Sequence, residues 1–135
     1  MIEEVKVRVT GQGLHEVTDA IRRVARTAGV QEGLCTVFVR HTSASLLIQE
    51  NADPSARRDL ENWLNRLVPE HDPLYTHTLE GPDDMPSHIK AALTAVSLSI
   101  PVMGGELALG TWQGIYLWEH RRLAGVRRLV VHVAG

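Results

Sequence analysis

Two histidines eleven residues apart, His77 and His88, bracket a loop holding Glu80, Asp83 and Asp84 in the stretch THTLEGPDDMPSHIK. That composition suits a site better than a core. A third histidine, His41, ends an apolar run and opens His41-Thr42-Ser43-Ala44-Ser45, which puts an imidazole beside three hydroxyls. Imidazoles from three separate segments can converge as a three-histidine metal set with a position left open for water or substrate, a set that suits zinc. The eleven-residue spacing matches no compact finger, and a single cysteine, Cys35, offers no structural zinc site. Equally open to the same residues is metal-free general acid–base chemistry, because an unperturbed histidine titrates at about 6.5.

The other polar clusters each carry two readings. In Glu50-Asn51-Ala52-Asp53, Asp53 can cap a helix and Asn51 make a turn, or both can face a ligand. Gly110-Thr111-Trp112-Gln113-Gly114 offers close backbone approach, two hydrogen-bonding side chains and a flat ring, as a small-molecule pocket would; a β-bulge is the alternative. Glu119-His120-Arg121-Arg122 and Arg127-Arg128 form a basic edge able to hold phosphate or simply to face solvent. His15, His71 and His132 read as surface histidines, and Cys35 in LCTVFV as a core side chain. With 14 basic and 16 acidic residues there is no broad basic field for nucleic acid.

These side chains must be positioned by one domain of 135 residues, taken as spanning 1–135, with a hydrophobic share of 44%. No apolar run approaches a membrane span and MIEEVKVRV lacks a signal-peptide centre, so a cytoplasmic protein without membrane contact is expected. Val5, Val7 and Val9 alternate as a strand, and Val17, Ile21, Val24 and Ala28 recur as a helix from about His15, closed by Gly29. Leu34 to Arg40 and Leu46 to Ile48 read as strands around HTSAS, which can itself be strand. Asp53-Pro54 starts a second helix whose apolar face runs through Ala56, Leu60, Trp63, Leu64 and Leu67 to near Pro69. A strand is expected to present His77, and a short helix from Pro86 to about Ala95 to carry His88 in its first turn. Val96 to Val102, a type I′ turn at Gly104-Gly105, Leu107 to Leu109, Gly114 to Trp118 and Val126 to Val133 read as a C-terminal meander. The class is α+β: a compact mixed or antiparallel, β-sandwich-like core with two to three helices.

HTSASL at 41–46, ENADP at 50–54, EGPDDMPSHIK at 80–90 and GTWQGIYLWEHR at 110–121 together resemble the YjbQ-like family, described as secondary thiamine-phosphate synthases. The resemblance covers nearly the whole chain in the same order. It implies a homotrimer with a metal-associated pocket, acting on a small phosphorylated substrate. The implied reaction joins hydroxymethylpyrimidine diphosphate to thiazole phosphate, as a weak or secondary activity. His41, His77 and His88 are the implied metal and catalytic residues. Glu119 joins them as a group that, with Asp84 or the Trp112 face, can favour a cationic pyrimidine methylene. Thr42, Ser43, Asn51, Asp84, Lys90, Thr111, Trp112, Gln113 and Arg121 are the expected substrate-binding residues within those motifs. Zinc is the expected metal; magnesium, through Asp83-Asp84, would accompany a diphosphate. Two alternatives stand beside the transferase: a metal-dependent hydrolase of a small phosphorylated or cyclic metabolite, and a non-enzymatic ligand-binding trimer.

Overall fold

The computed structural model describes residues 1–135. Eight strands and three helices follow in the order β1 (Ile2–Val9), β2 (Gly13–Glu16), α1 (Thr18–Ala28), β3 (Glu32–Val39), β4 (Ala44–Glu50), α2 (Pro54–Leu67), α3 (Asp84–Leu93), β5 (Ser97–Met103), β6 (Glu106–Leu107), β7 (Gln113–Glu119) and β8 (Gly125–Ala134). The strands form two sheets, five-stranded in the order β1-β8-β3-β5-β6 and three-stranded in the order β2-β7-β4. Every pairing is antiparallel. The expected α+β class with a sandwich-like core holds, with three helices.

Period-two alternation explains the larger sheet. Val5, Val7 and Val9 of β1, Cys35, Val37 and Val39 of β3, and Leu129, Val131 and Val133 of β8 point into one core of 20 buried residues, which α1 completes with Ile21 and Val24. Cys35 is fully buried there, and burial pushes its thiol up to about 11, so it is a core residue as expected. β7 obeys another rule. Ile115 and Leu117 face that core, while Tyr116 and Trp118 pack on the far side with Leu14, Leu64 and Val68. The middle strand of the smaller sheet is therefore covered on both faces, which its near-continuous apolar run Ile115–Trp118 allows.

Helix signals translate directly. The Asp53 carboxylate accepts from the Ser55 backbone N–H at 2.9 Å, Pro54 opens α2, and Gly29 closes α1 in the left-handed region at φ 69°. Gly29→Ala should cost about 1 kcal/mol through that backbone conformation alone, since no atom lies within 4 Å of an added Cβ. Urea unfolding of the two proteins measures it.

Four expectations are corrected. Residues His15 and Glu16 belong to β2, paired with Leu117 and Tyr116, so α1 begins at Thr18 and not at His15. No strand presents His77; residues 69–83 are irregular, and their fixed point is α3, where His88 lies in the second turn and not the first. The C-terminal third is no meander, because β7 crosses to the smaller sheet and β8 returns between β1 and β3. Along α2 only Leu64 is buried, with Trp63 and Leu67 half exposed.

Candidate functional site

α3 begins at Asp84, and Asp84 and His88 stand four residues apart on one face of it. His77 approaches from the irregular segment. Asp84 Oδ2 lies 2.8 Å from His77 Nε2 and 3.0 Å from His88 Nε2, while Arg121 Nη1 donates to Oδ1 at 2.8 Å. The carboxylate is nearly fully buried, the His77 ring is half exposed, and the His88 ring is 30% exposed. One donor atom from each of His77, Asp84 and His88 falls within 4.8 Å of the others. Two imidazoles and a carboxylate so placed fit a divalent cation such as zinc or iron(II).

The hydrogen-bond pattern adds a chemical argument for the fit. His88 Nδ1 lies 2.9 Å from the Thr42 carbonyl oxygen, an acceptor, and Nε2 faces the Asp84 carboxylate, another acceptor. A neutral ring has one proton for two acceptors. Either the ring is an imidazolium, or a cation takes the place of the second proton on Nε2. The Thr42 carbonyl then fixes the tautomer with Nε2 free for the cation, as a supporting hydrogen bond commonly does for metal-bound histidine.

Arg121 organises the acidic loop. Besides Asp84 it reaches Asp83 Oδ2 from Nε at 3.2 Å and the Glu80 carbonyl from Nη2 at 2.8 Å, and Asp83 also accepts from the Arg122 backbone N–H at 2.8 Å. Burial alone would raise both carboxyls. For Asp83 the Arg122 and Arg121 hydrogen bonds outweigh it, and for Asp84 those of His77 and His88 with the nearby positive charges; both stay below the usual carboxylate range. Burial opposes the Arg121 charge too, but its acidic partners raise it.

His41 does not join His77 and His88 within one chain; Asp84 takes the third place. The reason is local: His41 Nε2 accepts from the Arg128 backbone N–H at 2.9 Å, which ties the ring to β8. Burial and then the Arg127 charge lower its affinity for a proton, leaving a neutral ring with Nδ1 to present. It lines a groove of about 550 Å³ with Arg40, Thr42, Ser43 and Arg127. Thr42 links that groove to the His77–Asp84–His88 group, since its carbonyl lies 2.9 Å from His88 Nδ1.

Glu119, expected to touch substrate, is fully buried and committed elsewhere. Its two oxygens accept from Arg127 Nε and Nη2 at 2.6 Å each, and a third bond comes from the Arg121 backbone N–H at 3.0 Å. Arg127 Nη2 also donates to Ser43 Oγ at 2.9 Å. Glu119 is thus a positioning residue that aims Arg127 at the groove.

The Gly110–Gly114 segment is not a wall of this site within one chain. Gln113 pairs with Glu50 at one end of β7 and Glu119 with Ala44 at the other. Six residue steps put Thr111, Trp112 and Gln113 about 20 Å from the Glu119 end. There Asn51 donates to the Trp112 carbonyl at 3.0 Å and to Glu16, and Gln113 Oε1 accepts from Gly110 N–H at 2.8 Å. Lys90 points away from the His77–Asp84–His88 group to Asn65. Arg127 was legible as part of a basic edge able to hold phosphate; what sequence reasoning missed was its tie to Glu119 and Ser43. The Asp84–His88 spacing of four on a helix was the available signal for the carboxylate ligand.

Residues 3–135 match the model of a family described as UPF0047 protein YjbQ-like. The UPF0047 protein sll1880 of Synechocystis is 53% identical over 134 residues, covering 98% of this chain and 91% of the relative. The UPF0047 protein YjbQ of Salmonella typhimurium is 45% identical, with 92% and 90% covered. A YjbQ/UPF0047-family crystal structure from Clostridium acetobutylicum superposes with a TM-score of 0.90 at 33% identity, covering 98% and 99%. The protein TT1486 of Thermus thermophilus gives 0.86 at 32%, again covering 98% and 99%.

Proposed function

The chain belongs to the UPF0047 YjbQ-like family, and on that premise we propose that it is a metal-dependent hydrolase of a small phosphorylated metabolite, with His77, Asp84 and His88 as the cation's donors. The observation that carries the reading is His88 held between two acceptors inside a compact His–Asp–His group. A bound cation would supply Lewis acidity toward a phosphoryl oxygen. The protein's own groups do the rest. Arg121 holds Asp84 in place through Oδ1, and the Thr42 carbonyl orients the His88 ring. Arg127, fixed by Glu119, offers a guanidinium on the groove floor to an anionic oxygen, and His41 adds Nδ1 beside it.

The thiamine-phosphate synthase reaction is the second reading, favoured by the same groove, whose Arg40 and Arg127 suit a diphosphate. Asp83 and Asp84 serve it poorly as a magnesium clamp, because Arg121 already occupies both. Part of the proposal is assembly as a homotrimer in which a neighbouring copy brings its Trp112 segment toward the groove, since one chain keeps the two about 20 Å apart. Sedimentation velocity tests that stoichiometry.

Elemental analysis of protein equilibrated with zinc, iron(II) or manganese should find about one ion per wild-type chain, and Asp84→Ala should lower the affinity by roughly 100-fold or more. Phosphate release from a panel of phosphorylated metabolites should fall in parallel. Thiamine phosphate formed from its two precursors, with no phosphate release from the panel, would favour the transferase instead. Full metal content in Asp84→Ala would remove the proposed centre.

A further inference from the structure

On the side of α3 away from His88, a second group of buried polar atoms lacks its partner. Lys90 follows His88 by two residues, about 200° around the helix. It is 4% exposed, and no ion pair of the chain includes it. The ammonium's one hydrogen bond is to Asn65 Oδ1 at 2.5 Å, which uses one of its three protons. His120 is 1% exposed, with Nε2 2.8 Å from Ser45 Oγ and a buried Nδ1 that has no partner at all.

Both residues line one cavity of about 190 Å³ with Gln12, Glu61, Asn65 and Trp118. Gln12, Asn65 and Lys90 also line a second pocket of about 340 Å³, together with Glu70 and Arg122. Neither carboxylate bonds Lys90 directly: Glu61 accepts from the Leu14 N–H at 2.8 Å, and Glu70, though near enough to favour the ammonium, pairs with Arg122 at 3.0 Å. A buried ammonium with no anion bonded to it is costly, and a buried ring nitrogen without a partner is rare. A water molecule would satisfy His120 but would not balance the ammonium.

We propose that this cavity binds a small oxyanion, of phosphate or carboxylate type, between Lys90 Nζ and His120 Nδ1. In the bound state the ring proton is on Nδ1, with Nε2 accepting from the Ser45 hydroxyl 2.8 Å away, so both groups offer hydrogen to the anion. The site is separate from the metal group, and its test does not require a metal.

Full-length protein freed of metal by chelation is titrated with inorganic phosphate, sulfate and acetate. At least one should raise the wild-type melting temperature and shift the His120 Nδ1 resonance in ring-nitrogen NMR. Lys90→Met should bind the same anion at least about tenfold more weakly, as loss of a charged hydrogen bond implies. Its melting temperature without anion should not fall, because the variant removes a buried charge. An unmoved wild-type Nδ1 resonance with all three anions would overturn the site. So would equal affinity in Lys90→Met, which would place the anion at Arg127 or elsewhere.

Discussion

Glu119→Gln should destabilise the protein by about 3–5 kcal/mol, the range found when one partner of a buried ion pair is removed. The substitution keeps the shape of the side chain and takes away only its charge. Arg127, whose side chain is 13% exposed, would then hold a guanidinium against a neutral amide at the end of β7. Three of the hydrogen bonds made to Glu119 are charge-assisted or tie down the β7–β8 connection, so the loss is not confined to one contact. Arg127→Met in the same chain should recover much of the stability, because no buried charge is left unpaired. Urea unfolding at neutral pH of the wild type, the single variant and the double variant gives all three values. A single-variant loss below about 1 kcal/mol, the scale of an ordinary hydrogen bond, would mean that water reaches Arg127 freely.

Acid should weaken the fold before its carboxylates titrate. Burial, and then the charges of Lys90 and Arg127, push the His120 imidazole down to about 3 from its ordinary 6.5. Between those values the unfolded chain binds a proton at this residue and the native chain does not. Stability therefore falls as pH drops through 6.5, by up to about 1.4 kcal/mol per pH unit, and is unaffected by His120 at higher pH. Asp83 and Asp84 act in a lower window. Their native affinity for protons is reduced, so the stability they contribute is present above about 4 and is lost as pH falls below it. Unfolding free energies at pH 7, 6 and 5 separate the two, and His120→Gln should flatten the slope in that range. An equal slope in the variant would assign the acid sensitivity to other groups.

Much of this fold was legible because its signals are local. Asp53-Pro54 starts α2, Gly29 stops α1, and Gly104-Gly105 turns the β5–β6 hairpin with φ of 62° and 80°. Alternation marked β1 and β8. What escaped depended on distant partners. β2 has four residues, and only its ladder to β7 makes it a strand and not the start of a helix. The run Ile115–Trp118 shows burial, yet nothing in it says which sheet it joins. At the site, the His77–His88 pair and its acidic loop were visible as composition. His41 looked like their partner because sequence shows residue type; its tie to the Arg128 backbone, 87 residues away, is tertiary. The same holds for Arg121 and Arg127, whose roles come from which carboxylates they meet.

β7 also limits how this protein can change in length. Its residues alternate between two separate apolar layers, and its last residue aims Arg127. One added residue within the strand would not lengthen it so much as turn it over: Leu117 and Trp118 would exchange layers, and the residue after them would face away from the guanidinium. Residues 69–83 carry no such parity. An inserted residue is therefore expected to be tolerated between 69 and 76, ahead of His77 and of the Glu80 and Asp83 contacts to Arg121, and not between Gln113 and Glu119.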